Sequence, residues 1–326
     1  MLQVENIKII IKKCMMVNKL KKYWVFFIAF LCVFLVLYNK ADDRLFGGEE
    51  LYMLCPMTNS QMMSFVIKTN NNKIVIIDGG SAGDAEHLFA CISKINKENI
   101  TNNKVICNVC AWFLTHLHYD HTGALAEILS NQDKYNINID NIYYQFPPES
   151  WVHTNEPEYF DDIITINSAM RKSKSNKSKI HSFKTIKIDN VCFMPINDID
   201  LTITNNAVNN TSIVYKVTMS NSKTILFLGD AGYEMGNKIL NEVDYQIIKS
   251  DICQMAHHGQ HGVSEKFYNV VSPKVCLWPT PEWLWENDVG LGKGSGPWTI
   301  DCEKLWMKSL NVKKHYRPIK EDIILK

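Results

Sequence analysis

Three histidines and one aspartate lie within six consecutive positions of this 326-residue sequence, at His116, His118, Asp120 and His121. His116 and His118 are two residues apart, so in an extended strand their side chains point the same way. Asp120 and His121 follow where the chain turns into a helical pattern, and they are able to face a second position nearby. Borderline divalent metals favour imidazole and carboxylate ligands, and zinc is the commonest fit. The spacing therefore predicts a metal site.

The elements that must position this cluster are short apolar, strand-like runs that alternate with helical patterns. The run Val105–Thr115 predicts a buried strand leading directly into the histidines, and a helix is predicted from Leu125 onward. Further strands are predicted at Ser64–Ile67, Lys73–Asp78, Asn141–Phe146, Asp200–Thr204, Ser212–Met219, Lys223–Gly229 and Val275–Pro279, and further helices at Leu88–Ile95 and Lys238–Val243. This alternation is typical of a layered α/β domain.

The His116–His121 segment, H-x-H-x-D-H, resembles the signature of the metallo-β-lactamase superfamily. Three further segments resemble landmarks of that superfamily and occur in the expected order: Ile76–Gly80 (IIDGG), Leu228–Asp230 (LGD) and His257–Gly259 (HHG). The resemblance extends over about Leu51–Lys326. It implies an αββα sandwich with a metal-dependent hydrolytic site.

Within the superfamily, the pattern is similar to the metallo-hydrolase domain attached to bacterial DNA-uptake channel proteins of the ComEC type. The similarity lies in Asn210-Thr211-Ser212 before a strand, in Phe227–Asp230, and in an apolar strand that runs into His257–Gly259. The channel's many transmembrane helices are missing, so the sequence indicates a stand-alone relative. That subgroup implies a bridging-metal hydrolase that often acts on phosphodiesters.

The resemblance assigns roles to the clustered residues. His116 and His118 would hold a first metal ion, and Asp120 and His121 a second. Asp230 would bridge both ions with its two oxygens. Two bound cations would lower the pKa of a shared water, so a metal-bridging hydroxide would be the nucleophile near neutral pH.

Three more residues receive roles from the same resemblance. His257 would complete the second metal site, with His258 as an outer donor or proton shuttle, although the reverse order is left open. Asp78 would accept an N–H from a ligand histidine and so fix its tautomer. Asp120 and His258 are the predicted catalytic residues.

The sequence departs from the family pattern at two places. The superfamily usually supplies another histidine before the bridging aspartate, and only His153 and His181 lie in that interval. Neither lies in a convincing motif, and His153, which follows a predicted strand and loop, is the better candidate for an extra ligand. The carboxy-terminal His-Pro of the ComEC-type subgroup is also replaced, near Gly296-Pro297-Trp298.

The uncharged apolar run Tyr23–Tyr38 predicts a single transmembrane anchor. Lysines precede it and two aspartates follow it, so residues 1–22 are predicted to form a basic cytoplasmic tail. Residues 39–50 would be a linker, and the hydrolase domain, 51–326, would lie outside the cytoplasm. A cleaved signal peptide and a buried core helix are the alternatives; the first lacks a small-x-small cleavage site, and the second rarely lies beside so basic a flank.

Two other features permit more than one interpretation. Arg171–Lys187 contains seven Lys or Arg and no acid, which suits either a solvated loop or an anion-guiding patch. Trp283–Trp298 is glycine-rich and would form either an aromatic lid or a packed, irregular loop.

The ten cysteines indicate no disulfide framework. Cys107 and Cys110 have the spacing of half a zinc ribbon, but the second pair is absent.

The composition, with 46% hydrophobic residues and a net charge of +1, is that of a folded protein whose substrate preference must come from local patches. We expect a membrane-anchored hydrolase with two zinc ions or other divalent metals. Its substrate would be a phosphoester or phosphodiester in a small or polymeric anion, such as a nucleic acid, a teichoic-acid-like polymer or a choline-phosphate substituent. No obligate protein partner is inferred. The alternatives are a β-lactam, amide or lactone hydrolase, and a catalytically weak cell-surface binding protein.

Overall fold

The computed structural model describes residues 45–96 and 107–326. One compact unit, Phe46–Lys326, contains nearly all of them. No helix in this described part of the chain is long and apolar enough to cross a membrane. The predicted anchor at 23–38 and the tail before it lie outside the described residues, so the anchor and the extracytoplasmic location stay predictions.

Two mixed β-sheets of seven strands each form the centre of the unit. The first contains β1 (Glu50–Met53), β2 (Phe65–Lys68), β3 (Ile74–Ile77), β4 (Cys107–Phe113), β5 (Ile137–Tyr144), β6 (Asn176–Lys179) and the last strand, β14 (Ile323–Leu325). The second contains β7 (Ile186–Ile188), β8 (Val191–Pro195), β9 (Tyr215–Thr218), β10 (Thr224–Phe227), β11 (Ile252–Gln254), β12 (Val275–Leu277) and β13 (Lys314–Tyr316). In space the strands follow the orders β14-β1-β2-β3-β4-β5-β6 and β13-β12-β11-β10-β9-β8-β7.

Helices cover both sheets. In chain order they are α1 (Ala85–Asn96), α2 (Tyr119–Ser130), α3 (Gln132–Tyr135), α4 (Glu149–Asn155), α5 (Phe160–Lys172), α6 (Tyr233–Glu242), α7 (Tyr245–Ile248), α8 (Glu265–Val271), α9 (Glu282–Trp285) and α10 (Ile300–Ser309). Apolar side chains of α1, α2 and α5 share one core with the first sheet, whereas those of α6, α8 and α10 share another with the second.

Aromatic side chains join the two sheets face to face. Trp112 and Phe113 are adjacent in β4 and therefore point to opposite faces. Trp112 belongs to the core beneath the helices, while Phe113 stacks on Phe193 of the second sheet with ring centroids 4.7 Å apart. Phe65 and Phe227 make a second contact between the sheets, at 4.9 Å. The predicted αββα sandwich is confirmed.

The strand ends that matter for function meet at one edge of the sandwich. β3 runs parallel to β4, and β10 runs parallel to β11, so the carboxyl ends of each pair lie side by side. His257 N donates to Gly229 O at 3.0 Å, which connects the segments after β11 and β10. Ile213 N, just before β9, donates to Thr115 O at 2.9 Å and so connects the second sheet to the segment after β4. This edge therefore receives the residues that follow β3, β4, β10 and β11.

The basic run 171–187 is only partly a loop. Its first two residues end α5, and Asn176–Lys179 forms β6, an exposed strand at the edge of its sheet. Lysines on an edge strand discourage pairing with another chain. Lys177 Nζ also donates to the carbonyl oxygens of Met170 and Ser173, at 3.1 and 2.7 Å. At least part of this charge is therefore structural.

Two other sequence features have a plain structural explanation. The predicted strand Asp200–Thr204 is wrong: Asp200 Oδ1 accepts from the backbone N of Thr202, at 2.9 Å, and the chain turns there.

Cys107 and Cys110 are three residues apart in β4, so their side chains point to opposite faces and do not bind one metal ion together.

The segment 283–298 contains α9 and an irregular, glycine-rich loop. Asp288 Oδ1 accepts from Gly290 N and Gly292 N, at 2.7 and 2.8 Å, which closes the loop on itself. The rings of Trp283 and Trp298 contact each other at 4.9 Å between centroids. Whether this loop moves as a lid stays a prediction.

Candidate metal centre

The H-x-H-x-D-H segment changes from strand to helix within its own length. β4 ends at Phe113, and α2 begins directly after His118, which is its N-cap residue. His116 and His118 thus lie in the extended connection, whereas Asp120 and His121 occupy the first helical turn. A glycine at position 123 permits this approach, because a Cβ there would lie 2.7 Å from the backbone N of Ala82.

Asp230 reaches the same place from the second sheet. Gly229 has φ +54, and a Cβ at that position would lie 2.7 Å from the Cβ of Thr115, so only glycine fits without displacement. Asp230 N donates to Ser212 Oγ at 3.0 Å, which holds the turn. The side chain of Asp230 is thereby buried against the histidine cluster.

The first ligand group consists of His116, His118 and Asp230, each of which offers one ligand atom within 4.8 Å of the others. His116 Nε2 lies 3.9 Å from Asp230 Oδ2. All three side chains are buried. The two histidines that we predicted for a first metal ion are therefore brought together with the predicted bridging aspartate.

The second ligand group consists of Asp120, His121 and His258, also within 4.8 Å of one another. His258 Nε2 lies 3.1 Å from Asp120 Oδ2 and 3.5 Å from Asp230 Oδ2. His121 Nε2 lies 3.2 Å from Asp230 Oδ1. Asp230 therefore stands between the two groups, with a different oxygen toward His116 and toward His121.

Polar atoms in this centre are buried without hydrogen-bond partners. They are Nε2 of His116, His118, His121 and His258, and Oδ1 of Asp230. The close contacts of His121 with Asp230, and of His258 with Asp120, do not have hydrogen-bond geometry. An unsatisfied buried polar group costs about 1–3 kcal/mol, so their convergence calls for a ligand. Imidazole nitrogens and carboxylate oxygens suit a divalent cation such as zinc, and the residues fit one.

The opposite ring nitrogens of the two second-group histidines are anchored. His121 Nδ1 donates to Asp78 Oδ2 at 2.8 Å, and His258 Nδ1 donates to the carbonyl oxygen of Pro279 at 2.8 Å. Thr115 N and Oγ1 donate to the two oxygens of Asp78 at 2.8 and 2.7 Å. A proton on Nδ1 leaves the Nε2 lone pair free for a metal ion. Asp78 thus contacts a histidine of the second ligand group.

The two carboxylates of the centre, Asp120 and Asp230, are ionised at neutral pH. Burial would raise the pKa of Asp120, but the neighbouring imidazoles of His121 and His258 lower it to about 2. The pKa of Asp230 lies well below its ordinary value, because the same imidazoles outweigh its burial. Buried negative charge of this kind requires a positive partner.

The histidines divide into two kinds. Burial lowers the pKa of His118 to about 4 and that of His116 well below its ordinary value, so both are neutral ligands. Burial has the same effect on His121 and His258, but nearby carboxylates, above all Asp230, outweigh it. They hold the pKa of His121 well above its ordinary value and that of His258 at about 9. Because a metal ligand must be a deprotonated nitrogen, a cation bound by these two histidines would displace a proton from each.

The structure favours the reverse of our preferred order for the adjacent histidines, because His258 rather than His257 completes the second group. His257 (φ 49, ψ 48) and His258 (φ 58, ψ 17) are both left-handed, and their ring centroids lie 6.3 Å apart with an angle of 61° between the ring planes. His257 Nε2 lies 3.9 Å from Asp230 Oδ2 and 3.5 Å from Asn209 Nδ2. His257 thus borders the centre but belongs to neither group.

The two histidines considered as an extra ligand lie elsewhere. His153 is exposed on α4 and packs against Phe160, and the exposed His181 lies 3.5 Å from Asp198. Neither belongs to a ligand group among the described residues. Sequence reasoning missed Tyr159, whose ring centroid lies 4.0 Å from that of His118. No motif marks this tyrosine, since its position depends on the packing of the segment before α5.

Comparisons with known proteins agree with this fold. The profile of a family described as the metallo-beta-lactamase superfamily matches residues 58–268, more than half of the chain. No curated protein matches. The metallo-beta-lactamase fold protein YhfI from Bacillus subtilis is 10% identical, with 85% of this chain and 99% of that chain covered and a TM-score of 0.51. Unliganded yeast PDE1 is 12% identical, with the same shares covered and a TM-score of 0.49. At 10% identity the likeness to YhfI concerns the fold alone.

Proposed function

Because the chain belongs to the metallo-beta-lactamase superfamily, we propose that it is a metal-dependent hydrolase of phosphoesters or phosphodiesters, anchored in a membrane with its catalytic domain outside the cytoplasm. The observation that carries the hydrolytic proposal is the position of Asp230. Its two oxygens lie between two ligand groups whose buried histidine Nε2 atoms have no hydrogen-bond partners. A protein that merely kept the fold would have no physical need for this arrangement.

Each ligand group would hold one divalent cation, and zinc is the proposed metal. His116 and His118 would bind the first, Asp120 and His258 the second together with His121, and Asp230 would serve both. When bound, such cations lower the pKa of water and stabilise the charge that develops on a phosphoryl oxygen.

The side chains around the cations have separate tasks. Asp120 is the ligand through which the centre reaches solvent, because 24% of its side chain is exposed while His121 and His258 are fully buried. Its ionised carboxylate would accept a hydrogen bond from an entering water and orient it. Asp78 and the carbonyl oxygen of Pro279 hold protons on the Nδ1 atoms and so preserve the ligand tautomers.

The choice of a phosphorus ester draws support from the ComEC-like motif Asn210-Thr211-Ser212. Asn210 Oδ1 accepts from Gly232 N and Met235 N, at 3.1 and 3.0 Å, and so caps the start of α6. Ser212 Oγ accepts from Asp230 N. The motif thus positions the bridging aspartate, and its likeness to a subgroup that often hydrolyses phosphodiesters favours that substrate class over β-lactams, other amides and lactones.

Elemental analysis and two chromogenic substrates test the proposal on the full-length protein. We expect about two divalent ions per chain and hydrolysis of bis(4-nitrophenyl) phosphate that a chelator abolishes and zinc restores. An Asp140→Asn variant, which changes an exposed aspartate of β5, serves as a control and should retain both properties. Absence of transition metal would contradict the metal centre. Hydrolysis of a chromogenic β-lactam alone would leave a metal hydrolase of the alternative class.

A further inference from the structure

A cavity of about 600 Å³ opens beside the metal centre. The start of α6, the segment 261–265 and helix α10 contribute to its wall, and His257 lines it as well. His257 Nε2 lies 3.9 Å from Asp230 Oδ2, so one side chain borders both the cavity and the metal centre. A volume of this size suits an organic group rather than a water or a small ion.

The charge of the cavity is unfavourable for an anion. Glu234, Glu265 and Glu303 line it, whereas none of the lining residues is Lys or Arg. Burial opposes ionisation of Glu234, but Asn205 Nδ2 and Asn210 Nδ2 donate to its two oxygens at 2.6 and 2.9 Å and lower its pKa. Glu234 is therefore a fixed negative charge at neutral pH, held at the cavity wall by two amides.

Glu303 does not add to this charge in the same way. Its carboxyl group is almost completely buried, and burial raises its pKa to about 8, so it is mostly protonated at neutral pH. The negative wall therefore consists of Glu234 together with the exposed Glu265 at the start of α8.

Two aromatic rings complete the wall. Tyr233 is 58% exposed at the first position of α6, although it borders a functional centre, and Trp306 of α10 is half-buried. The face of an aromatic ring attracts organic cations, and nearby carboxylates add to that attraction. The ionised carboxylate of Glu234 would repel a second phosphate, and no Lys or Arg of the cavity wall would offset that repulsion.

We propose that the cavity binds a positively charged ester arm of the substrate that carries an ammonium group. This inference rests on the proposed function and narrows it: the substrate would be a phosphate ester that carries an organic cation, rather than a continuous polyanionic strand. The carboxylate of Glu234 and the rings of Tyr233 and Trp306 would recognise the cation, while the phosphoryl group lies at the metal centre beyond His257.

Two matched substrates test the charge preference directly. Both are 4-nitrophenyl phosphodiesters; the second arm is 2-(trimethylammonio)ethyl in one and the uncharged, equally shaped 3,3-dimethylbutyl in the other. Water adds to phosphorus, the bond to the aryl oxygen breaks, 4-nitrophenolate leaves and a proton from the water is released to the medium. We expect the full-length, zinc-loaded protein to show a kcat/KM about tenfold higher for the cationic arm.

Variants assign this preference to the cavity. In the double variant Glu234→Gln/Glu265→Gln, the ratio of the two kcat/KM values should fall toward one. Glu242→Gln is the matched control, because it removes an exposed carboxylate from α6 outside the cavity wall, and it should keep the parent ratio. The neutral substrate is an internal reference, since partial misfolding lowers both rates alike and leaves the ratio unchanged.

The outcomes separate this inference from the proposed function. Equal rates for the two substrates would overturn the cation site while leaving a phosphodiesterase. If neither substrate is hydrolysed, the proposed function fails, and saturation-transfer NMR with 2-(trimethylammonio)ethanol and 3,3-dimethylbutan-1-ol decides the inference. Selective binding of the cation that disappears in the double variant would support the site. Equal binding, or none, would overturn it.

Discussion

Asp230 is the residue on which both ligand groups depend. Its oxygens lie 3.9 Å from His116 Nε2 and 3.2 Å from His121 Nε2. Asp120, by contrast, belongs to the second group alone. Its Oδ2 lies 3.1 Å from His258 Nε2 in that group. The two aspartates should therefore differ in what their removal does to metal binding.

Replacing Asp230 with Ala should lower metal content and turnover together, because both cations lose a ligand and their mutual repulsion is no longer screened. We expect less than one metal ion per chain and a rate reduced by roughly 100-fold or more. Asp120→Ala should retain about one ion, held by His116 and His118. Elemental analysis beside hydrolysis rates, with circular dichroism to confirm folding, distinguishes the two. Full metal content and rate in Asp230→Ala would refute the bridging role.

The adjacent histidines allow a second test. His258→Ala should lower the metal content to about one ion per chain, because it removes a buried ligand atom of the second group. His257→Ala should keep about two ions, since His257 belongs to neither group. Zinc titration of both variants, with a competing chelator, measures the difference in affinity. The opposite result would restore the order that the sequence favoured.

Much of the centre could be predicted at the level of residues, because the ligand types are chemically distinctive and closely spaced. The order of His257 and His258 could not be predicted. It depends on two successive left-handed conformations, at φ 49 and φ 58, which non-glycine residues seldom adopt. Tyr159 was also missed, because its contact with His118 arises from packing and not from a local pattern.

At the scale of elements, segments with a clear local pattern were predictable, whereas several short strands at the sheet edges were not. The buried strand before the cluster and the helix after it are present as β4 and α2. Strands such as β13 and β14 have three residues each and depend on pairing with β12 and β1, which are distant in the sequence, so no local period marks them. Asp200–Thr204 has an apolar alternation, but its side chain-to-backbone hydrogen bond favours a turn.

Helix α10 contains a buried acid with a measurable effect on stability. Glu303 Oε2 accepts from Tyr268 Oη of α8 at 3.4 Å, and burial raises the pKa of Glu303 to about 8 from an ordinary 4.5. Between these pH values the unfolded chain has lost the proton that the folded chain keeps. The free energy of unfolding should therefore fall as pH rises, by at most about 1.4 kcal/mol per pH unit.

Glu303→Gln should remove this dependence while keeping an acceptor for Tyr268. We expect the parent to lose stability relative to the variant between pH 5 and pH 8, and the difference to stop changing above about pH 8, where the folded state also releases the proton. Urea midpoints of both proteins across this range provide the measurement, and contributions common to both cancel. A constant difference would show that Glu303 is not protonated in the folded state.

For the whole molecule, the start of the folded unit lies before the predicted domain boundary at Leu51. Phe46 is fully buried, and Glu49 is 1% exposed. Glu49 accepts from Asn70 Nδ2 at 2.9 Å and from Ser220 Oγ at 2.8 Å. These contacts tie residues that we assigned to a linker into the body of the domain. A protein that begins at residue 45 should therefore be more stable than one that begins at residue 51.

Truncation of a fully buried aromatic side chain costs roughly 3–5 kcal/mol, and the loss of Glu49 removes two further hydrogen bonds. We expect the protein that begins at residue 51 to unfold at a clearly lower urea concentration, with an unchanged slope of the transition. Phe46→Ala in the protein that begins at residue 45 should reproduce most of the difference. Equal midpoints for the two lengths would show that residues 45–50 contribute nothing to the folded unit.

The full-length protein and the protein that begins at residue 45 together test the membrane anchor. The uncharged run 23–38 is about long enough to span the hydrocarbon core once flanking lysines extend to the interfaces, and the domain itself contributes no spanning helix among its described residues. The full-length protein should therefore sediment with membranes and resist extraction by high salt and alkali, whereas the protein that begins at residue 45 should remain in the supernatant. Replacing two central residues, Phe30→Asp and Val33→Asp, should release the full-length protein as well, because each buried charge costs about 3 kcal/mol at the centre of a span.

The positive flank further predicts that added protease digests the domain in intact cells stripped of their wall and spares the amino-terminal tail. Digestion of the tail with protection of the domain would reverse the orientation, and extraction by salt alone would replace the anchor with peripheral binding.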